Sequence, residues 1–310
     1  MIVVLFIVSL LVFLLTNFIG DPVDMLVPEN ATLEQIESAR TRLGLDKPLP
    51  VQYGIFIRDV LHGNFGKSYI YGKPAMDLIF ERMPATLELV AVAACLVLCI
   101  AIPLGVYAGA YPKRASSKLI MSGSILGISL PSFWVGMMMI YIFAVVLRLL
   151  PASGRGNTVM VGNVALSIFA PGGIRYVILP AITLALTNVA TMLRLTRSGI
   201  LENMRQDYIK FARAKGVPAK SILFGHALKN ALIPVVTIFG MDLGNMIAFT
   251  TITETIFAWP GMGKLLIDAI NKSDRPIIVA YLMAAACMFV VLNFIVDILY
   301  TLIDPRIELR

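Results

Sequence analysis

QDYIKFARAKGVPAKSILFGHALKNALIPVV, residues Gln206 to Val236, is a basic stretch lodged between two apolar segments each long enough to cross a bilayer. Tyr208, Phe211, Ala212 and Lys215 recur at the i, i+3, i+4, i+7 spacing that puts them on one side of a short helix, the arrangement by which a helix lies in a partner's groove. Gly216 ends that helix, because glycine adopts the left-handed conformation a helix C-terminus needs. Pro218 cannot continue it but can start the next. The stretch therefore predicts helix, elbow, helix.

Composition says what surrounds this element. With 58% hydrophobic and 15% charged residues and a mean hydropathy of +0.83, the chain lies outside the soluble range of about a quarter charged. It is a membrane protein. A helix rising about 1.5 Å per residue needs about 20 apolar residues to cross about 30 Å of hydrocarbon. Six runs qualify: Ile2 to Ile19, Thr86 to Ala110, Leu119 to Leu147, Tyr176 to Leu193, Leu232 to Thr253 and Ile277 to Ile303. They are continuous rather than alternating, which favours helices over a barrel.

Basic residues set the orientation. With the Gln206 stretch inside, residues 111–118, 194–230 and 304–310 carry 13 Lys or Arg in 52 positions, while residues 20–83, 148–176 and 254–278 carry 13 in 118. The inside density is about twofold higher, so both termini are expected in the cytoplasm. The net charge of +7 reflects this asymmetry and is no argument for nucleic-acid binding. Met1 is followed directly by apolar residues with no Lys or Arg. Either the true start lies upstream or later loops orient this segment. It has neither the positive n-region nor the small-x-small site of a signal peptide. Cys95, Cys99 and Cys287 fall within apolar runs, where a small buried role is expected.

The external regions carry their own signals. ATLEQIESARTRLGL, Ala31 to Leu45, reads as an amphipathic helix ending near Gly44. Gly63, Gly66, Lys67 and Ser68 imitate a phosphate-binding loop, but position 61, where a glycine is required, is Leu61. The segment is expected to be a structural turn, and no other Walker-type string exists, so this chain is not expected to hydrolyse ATP by itself. ETIFAWPGMGKLLIDAINKSDRPII, Glu254 to Ile278, predicts a rigid turn at Trp259, Pro260 and Gly261 followed by a short helix.

Within the membrane, Pro103, Gly105, Gly109, Gly123, Gly127, Pro131 and Gly136 allow bends and close packing. Met137, Met138 and Met139 either line an adaptable cavity or fill space, the latter being the commoner role. Arg194 and Arg197 are expected to reach the headgroups. Three intramembrane acids stand out because burying charge in lipid is costly. Glu88 lies near an outer helix end, within reach of water. Asp297 is expected to hydrogen-bond between helices. Asp242, beside Gly240 and Gly244, either meets a substrate amino group or makes a structural hydrogen bond.

Enzymatic readings find little support. His62 and His226 are expected on opposite sides of the membrane, so no paired-histidine metal site forms, and zinc-protease and nucleophile-elbow strings are lacking. A channel lacks a filter-like repeat, and inverted repeats of a secondary transporter are not visible.

The Gln206 stretch resembles the ATPase-coupling loop, often called the EAA loop, of binding-protein-dependent ABC importers. ERMPATLEL (Glu81 to Leu89), LDKPLPVQYGIFIRDVLHGNFGKS (Leu45 to Ser68), LPSFWVGMMMIYIFAV (Leu130 to Val145), ETIFAWPGMG and VDILYTLIDPRIELR (Val296 to Arg310) resemble the dipeptide, oligopeptide and nickel permease branch. The broad pattern wants Glu-Ala-Ala where Lys210, Phe211 and Ala212 stand, and this departure matches the peptide branch.

The resemblance implies an all-α membrane protein with the ABC importer type I permease fold. Residues 1–19 would form the first of six helices, 20–83 an external subdomain, 84–303 the core with its coupling loop at 203–230, and 304–310 a cytoplasmic tail. It assigns ATPase coupling to Gln206, Asp207, Tyr208, Ile209, Phe211, Ala212, Arg213, Ala214, Lys215 and Gly216, and an outer cap to Trp259, Pro260 and Gly261. Met138 and Asp242, read from their own chemistry and not from the resemblance, are the candidate pathway residues. The implied partners are a second related permease, two ATPases that hold ATP and Mg, and a solute-binding protein, in the bacterial inner membrane. No cofactor is expected in this chain. Short peptides are the first expectation for cargo, with nickel complexes or glutathione-like peptides behind.

Overall fold

A computed structural model describes residues 2–18 and 32–303. The Gly20 to Leu26 string, the 304–310 tail and the side chain of Asp297 lie outside the described residues. In chain order the helices are α1 (Ile2–Phe18), α2 (Leu33–Leu43), α3 (Leu49–Leu61), α4 (Ala75–Ala110), α5 (Ala115–Ser129) and α6 (Ser132–Met139), which continues as a π-helix over Ile140–Val146. A hairpin of β1 (Val159–Val161) and β2 (Val164–Leu166) precedes α7 (Ile174–Asn203) and α8 (Asp207–Ala214). Then come α9 (Ala219–Ser221), a π-helical stretch (Ile222–Ala227), α10 (Leu228–Ile256), α11 (Met262–Asn271) and α12 (Arg275–Ile303). The chain forms two compact units, Met1–Pro84 with Pro260–Val290 and Ala85–Trp259 with Val291–Arg310.

In the first unit, α2 forms where the caps dictate. The Thr32 hydroxyl accepts from the Gln35 amide, the Gln35 side chain accepts from the Thr32 amide, and Gly44 closes the helix at φ +69°. The core of this unit joins Leu78 and Ile79 of α4 to Met262 and Leu265 of α11 and Ile277 and Tyr281 of α12. The sequence that imitates a phosphate loop is a clasp. Ser68 Oγ donates to Asp274 Oδ2 at 2.5 Å, and the Tyr69 and Ile70 amides donate to the same buried carboxylate at 3.3 Å. The anion held at this turn is the chain's own.

In the second unit α7 is the hub. A Cβ added at Gly105 would stand 2.6 Å from Thr196 Cβ, and one at Gly109 would stand 2.7 Å from Ile200 Cβ, so α4 meets α7 backbone to backbone through a GxxxG face. Gly199 makes a similar approach to Ala231 of α10, and Gly240 of α10 leaves no room for a Cβ beside Val296 of α12.

Among the described residues, four helical stretches are long and apolar enough to cross a bilayer: Ala75–Ala110, Ile174–Asn203, Ala219–Ile256 and Arg275–Val296. The run expected at Leu119 to Leu147 is broken. α5 and α6 meet at 105°, because Leu130, extended before Pro131, cannot stay helical beside the proline ring. Counted as one span, the pair makes a fifth. The apolar segment of α1, Val3–Leu15, is shorter. Two expected helix starts are also corrected: α4 begins at Ala75 rather than Thr86, and the helix expected from Leu232 runs without interruption from Ala219. Cys95, Cys99 and Cys287 are exposed on the chain rather than buried.

Glu88, expected to reach water, is instead a buried anchor. Its carboxylate accepts from Arg155 Nε at 2.9 Å, from the Ser167 amide at 2.7 Å and from the Ile168 amide at 2.6 Å. Arg155 also donates to the Ala165 carbonyl of β2. These bonds tie the segment carrying the β-hairpin to α4. Removing one partner of such a pair strands the other charge, at a cost of about 3–5 kcal/mol. Glu88→Ala is therefore expected to lower the melting temperature and open residues 151–170 to proteolysis, whereas a melting curve and digestion pattern like the parent's would refute the anchoring role. Gly109→Leu should block the approach of α4 to α7 and reduce the yield of folded protein. An unchanged yield and melting temperature would show that this contact is dispensable.

Candidate functional site

The Gln206 stretch folds around one buried residue. Gln206 takes the extended N-cap conformation and α8 follows from Asp207 to Ala214. Ile209 is fully buried among Val106, Ile200, Ile222, Ala227 and Ala231, with Ala212 and Val217 packed against the same cluster. Ile209 and Ala212 therefore face inward, and the outward face is narrower than the four-residue stripe read from the spacing. Tyr208 is 41% and Phe211 61% exposed, and Lys215 sits with its ammonium 4.5 Å from the centre of the Phe211 ring. Asp207, Lys210, Arg213 and Ala214 are exposed, and Asp207 pairs with Lys210 at 2.7 Å.

Two further constraints set the angle of α8. Gly216 lies at φ +75°, and a Cβ there would meet nothing within 4 Å, so the need for glycine is conformational and not steric. Val217 donates its amide to the Ala212 carbonyl across the elbow, and Pro218 caps α9, which continues into α10. The Tyr208 hydroxyl donates to Asn203 Oδ1 at 2.7 Å and accepts from Asn230 Nδ2 at 3.0 Å. One phenol thus links the end of α7, α8 and the start of α10. Neither asparagine was singled out in the sequence, because nothing in their spacing announces a shared partner.

The other candidates lie elsewhere. Trp259 is fully buried, with its indole N–H donating to the Ala85 carbonyl at 2.9 Å and the Arg155 guanidinium 5.7 Å from its ring centre. It is a core residue of the second unit and not an interfacial anchor. Ala258 before it turns at φ +45°. Gly261 is the extended N-cap of α11. Met138 is half-buried on α6 and Asp242 half-buried on α10. Arg194 is exposed, but Arg197 Nε is sealed from solvent and, among the described residues, has no hydrogen-bond partner. Simple extension to the headgroups therefore fits Arg194 better than Arg197. The described residues hold no group of three or more His, Cys, Asp or Glu placed to bind a metal.

Comparison with known proteins places this geometry. Residues 101–309 match the family described as binding-protein-dependent transport system inner membrane component, and residues 1–90 match its N-terminal companion. The chain is 37% identical over 314 residues to the "Probable D,D-dipeptide transport system permease protein DdpB" of Escherichia coli K12, covering 97% of this chain and 92% of the relative. It is 39% identical over 315 residues to the "Di/tripeptide transport system permease protein DppB" of Pseudomonas aeruginosa, covering 97% and 94%. The "Oligopeptide transport system permease protein AppB" of Bacillus subtilis is 38% identical over 290 residues, covering 93% and 90%. Among solved structures, an inward-facing form of the MetNI methionine ABC transporter shares the fold at a TM-score of 0.57 and 16% identity, covering 74% of this chain and 97% of that one. The chain belongs to the family of inner membrane components of binding-protein-dependent transport systems.

Proposed function

We propose that this chain is one of two related permease subunits of an ATP-driven importer, and that short peptides handed over by an external binding protein pass along its helices. The names of its relatives support the cargo class. The observation that carries the coupling role is α8, which exposes Tyr208, Phe211 and Lys215 while Ile209 fixes it to the helices behind. An amphipathic helix held rigidly and presenting an aromatic and a cation is suited to seat in a groove of a partner ATPase.

In this reading α1 and the bent α5–α6 pair each count as one span, which makes six, and both termini lie in the cytoplasm. Residues 20–83 lie on the external side, residues 84–303 form the transport core with the loop at 203–230 facing the ATPases, and 304–310 is a cytoplasmic tail. ATP and Mg are held by the ATPases. Their closure displaces α8, and because Ile209 rests on Ile200 of α7, the displacement reaches the transport helices as a rigid-body movement. Trp259, Pro260 and Gly261 form the turn that sets the outer cap, while Met138 and Asp242 are the pathway candidates.

Replacing Gly216 by valine forces a β-branched residue into the left-handed region at a cost of about 1–2 kcal/mol with no steric clash. Gly216→Val is expected to insert and assemble but lose most peptide uptake. Parental uptake rates in membrane vesicles would contradict the elbow's role. Tyr208→Phe removes two hydrogen bonds worth about 1 kcal/mol each. It should leave the quantity of assembled complex unchanged while lowering the number of peptides imported per ATP hydrolysed. An unaltered ratio would show that the hydroxyl does not transmit the movement.

A further inference from the structure

The segment after α1 was expected to be external and polar, yet α3 reads LPVQYGIFIRDVL and contains no fully buried residue. Leu49, Val51 and Leu61 are 58%, 47% and 79% exposed. On the helix, Tyr53, Phe56 and Val60 form one stripe, Pro50, Gly54, Ile57 and Leu61 a second beside it, and Val51, Gln52, Ile55, Arg58 and Asp59 lie on the remaining side. The first stripe packs on α1. Tyr53 OH and Ser9 Oγ share a hydrogen bond of 2.9 Å, the Tyr53 ring lies 5.3 Å from Phe13 and 6.1 Å from Phe6, and Phe56 lies 5.7 Å from Phe13.

Depth follows from these contacts. Ser9 is nine residues before Phe18, and the apolar run ends at Ile19, ahead of Gly20 and Asp21. Nine residues of helix measure about 13 Å, whereas one leaflet of hydrocarbon is about 15 Å deep. A second helix supports this level: Phe56 and Val60 also pack on the cluster of Val12, Val279 and Met283, and those α12 residues lie within its apolar run. Either orientation of α1 gives the same depth, since α3 follows α1 on the side where α1 ends.

We propose that α3 is immersed in the bilayer leaflet at the C-terminal end of α1, with the stripe of Pro50, Gly54, Ile57 and Leu61 against acyl chains. Arg58 and Asp59 turn to the headgroups and water, as in an interfacial amphipathic helix, while Gln52 donates to the Leu45 and Lys47 carbonyls of the preceding turn. Arg58 and Asp59 pair with each other at 3.1 Å on that polar side. Lipid is the occupant that fits, because the stripe is continuous with a helix already in the membrane. The inference rests on the reading that α1 crosses the bilayer.

The test uses the assembled transporter in liposomes, with Cys95, Cys99 and Cys287 replaced by serine and transport retained. Single nitroxide labels are placed at Gly54, Leu61, Arg58 and, on α1, the exposed Ile7. A Cβ at Gly54 meets nothing within 4 Å, so the label is accommodated. Collisions with molecular oxygen are expected to exceed those with a water-soluble nickel chelate severalfold at Gly54, Leu61 and Ile7, with the ratio reversed at Arg58. Dominance of the nickel chelate at Gly54 and Leu61 with Ile7 still lipid-like would overturn the proposal alone. Exclusion of both reagents at those two sites would overturn it in favour of a protein partner. A water-like Ile7 would instead remove the premise that α1 crosses. If labels disturb assembly, quenching of a Leu61→Trp variant by brominated lipid beyond that of the parent supports the proposal, and its lack refutes it.

Discussion

The contact on which the second unit depends is the approach of α7 to its neighbours without intervening side chains. Lipid supplies little hydrophobic drive between helices, so association relies on close van der Waals packing and hydrogen bonds. Gly105 and Gly109 permit that packing against Thr196 and Ile200, and Gly199 permits it against Ala231. Ile200 then carries a double duty. One side of it fills the space left by Gly109, and it also belongs to the cluster that buries Ile209. The short basic helix α8 is thereby fixed to the helix that organises this half of the chain.

Charges are treated in a consistent way in both units. Glu88 and Asp274 are buried carboxylates, and each accepts backbone N–H bonds from a neighbouring loop as well as a side-chain partner. Burying a carboxylate is expensive unless its oxygens are satisfied. Once they are, the arrangement specifies one loop conformation, because a shifted loop would leave a charge unpaired. The loops at residues 68–70 and 155–168 are thus held in place by carboxylates from the turn before α12 and from α4.

The coupling role proposed for α8 draws on how it is held. Ile209 supplies apolar purchase, the Tyr208 hydroxyl links Asn203 with Asn230, and Gly216 fixes the turn into a helix that runs from Ala219 to Ile256. A push on α8 meets α7 behind it and α10 beyond it. The uninterrupted course of α9 into α10, through a π-helical stretch, means that the elbow opens straight into a transport helix.

Much of this was legible in the chain itself. Hydropathy announced a membrane protein because long apolar runs leave no other place to put them, and Gly216 with Pro218 announced the elbow because their backbone preferences are local. Gly44 marked the end of α2 for the same reason, whereas the Thr32 and Gln35 cap at its start was not read. The β-hairpin at Val159–Leu166 escaped notice because its strands are three residues each. The break at Leu130 and Pro131 was hidden inside an apolar run that looked continuous.

The sequence by itself determined the end of α2 at Gly44, the elbow at Gly216 and Pro218, and which residue types were available there, since these depend on neighbours a few positions away. Only the tertiary structure decided that Ile209 turns inward while Phe211 stays out, that Glu88 meets Arg155, and that Asp274 meets Ser68. Those partners are 67 and 206 positions apart. Their pairing is set by how helices pack, which no local pattern encodes.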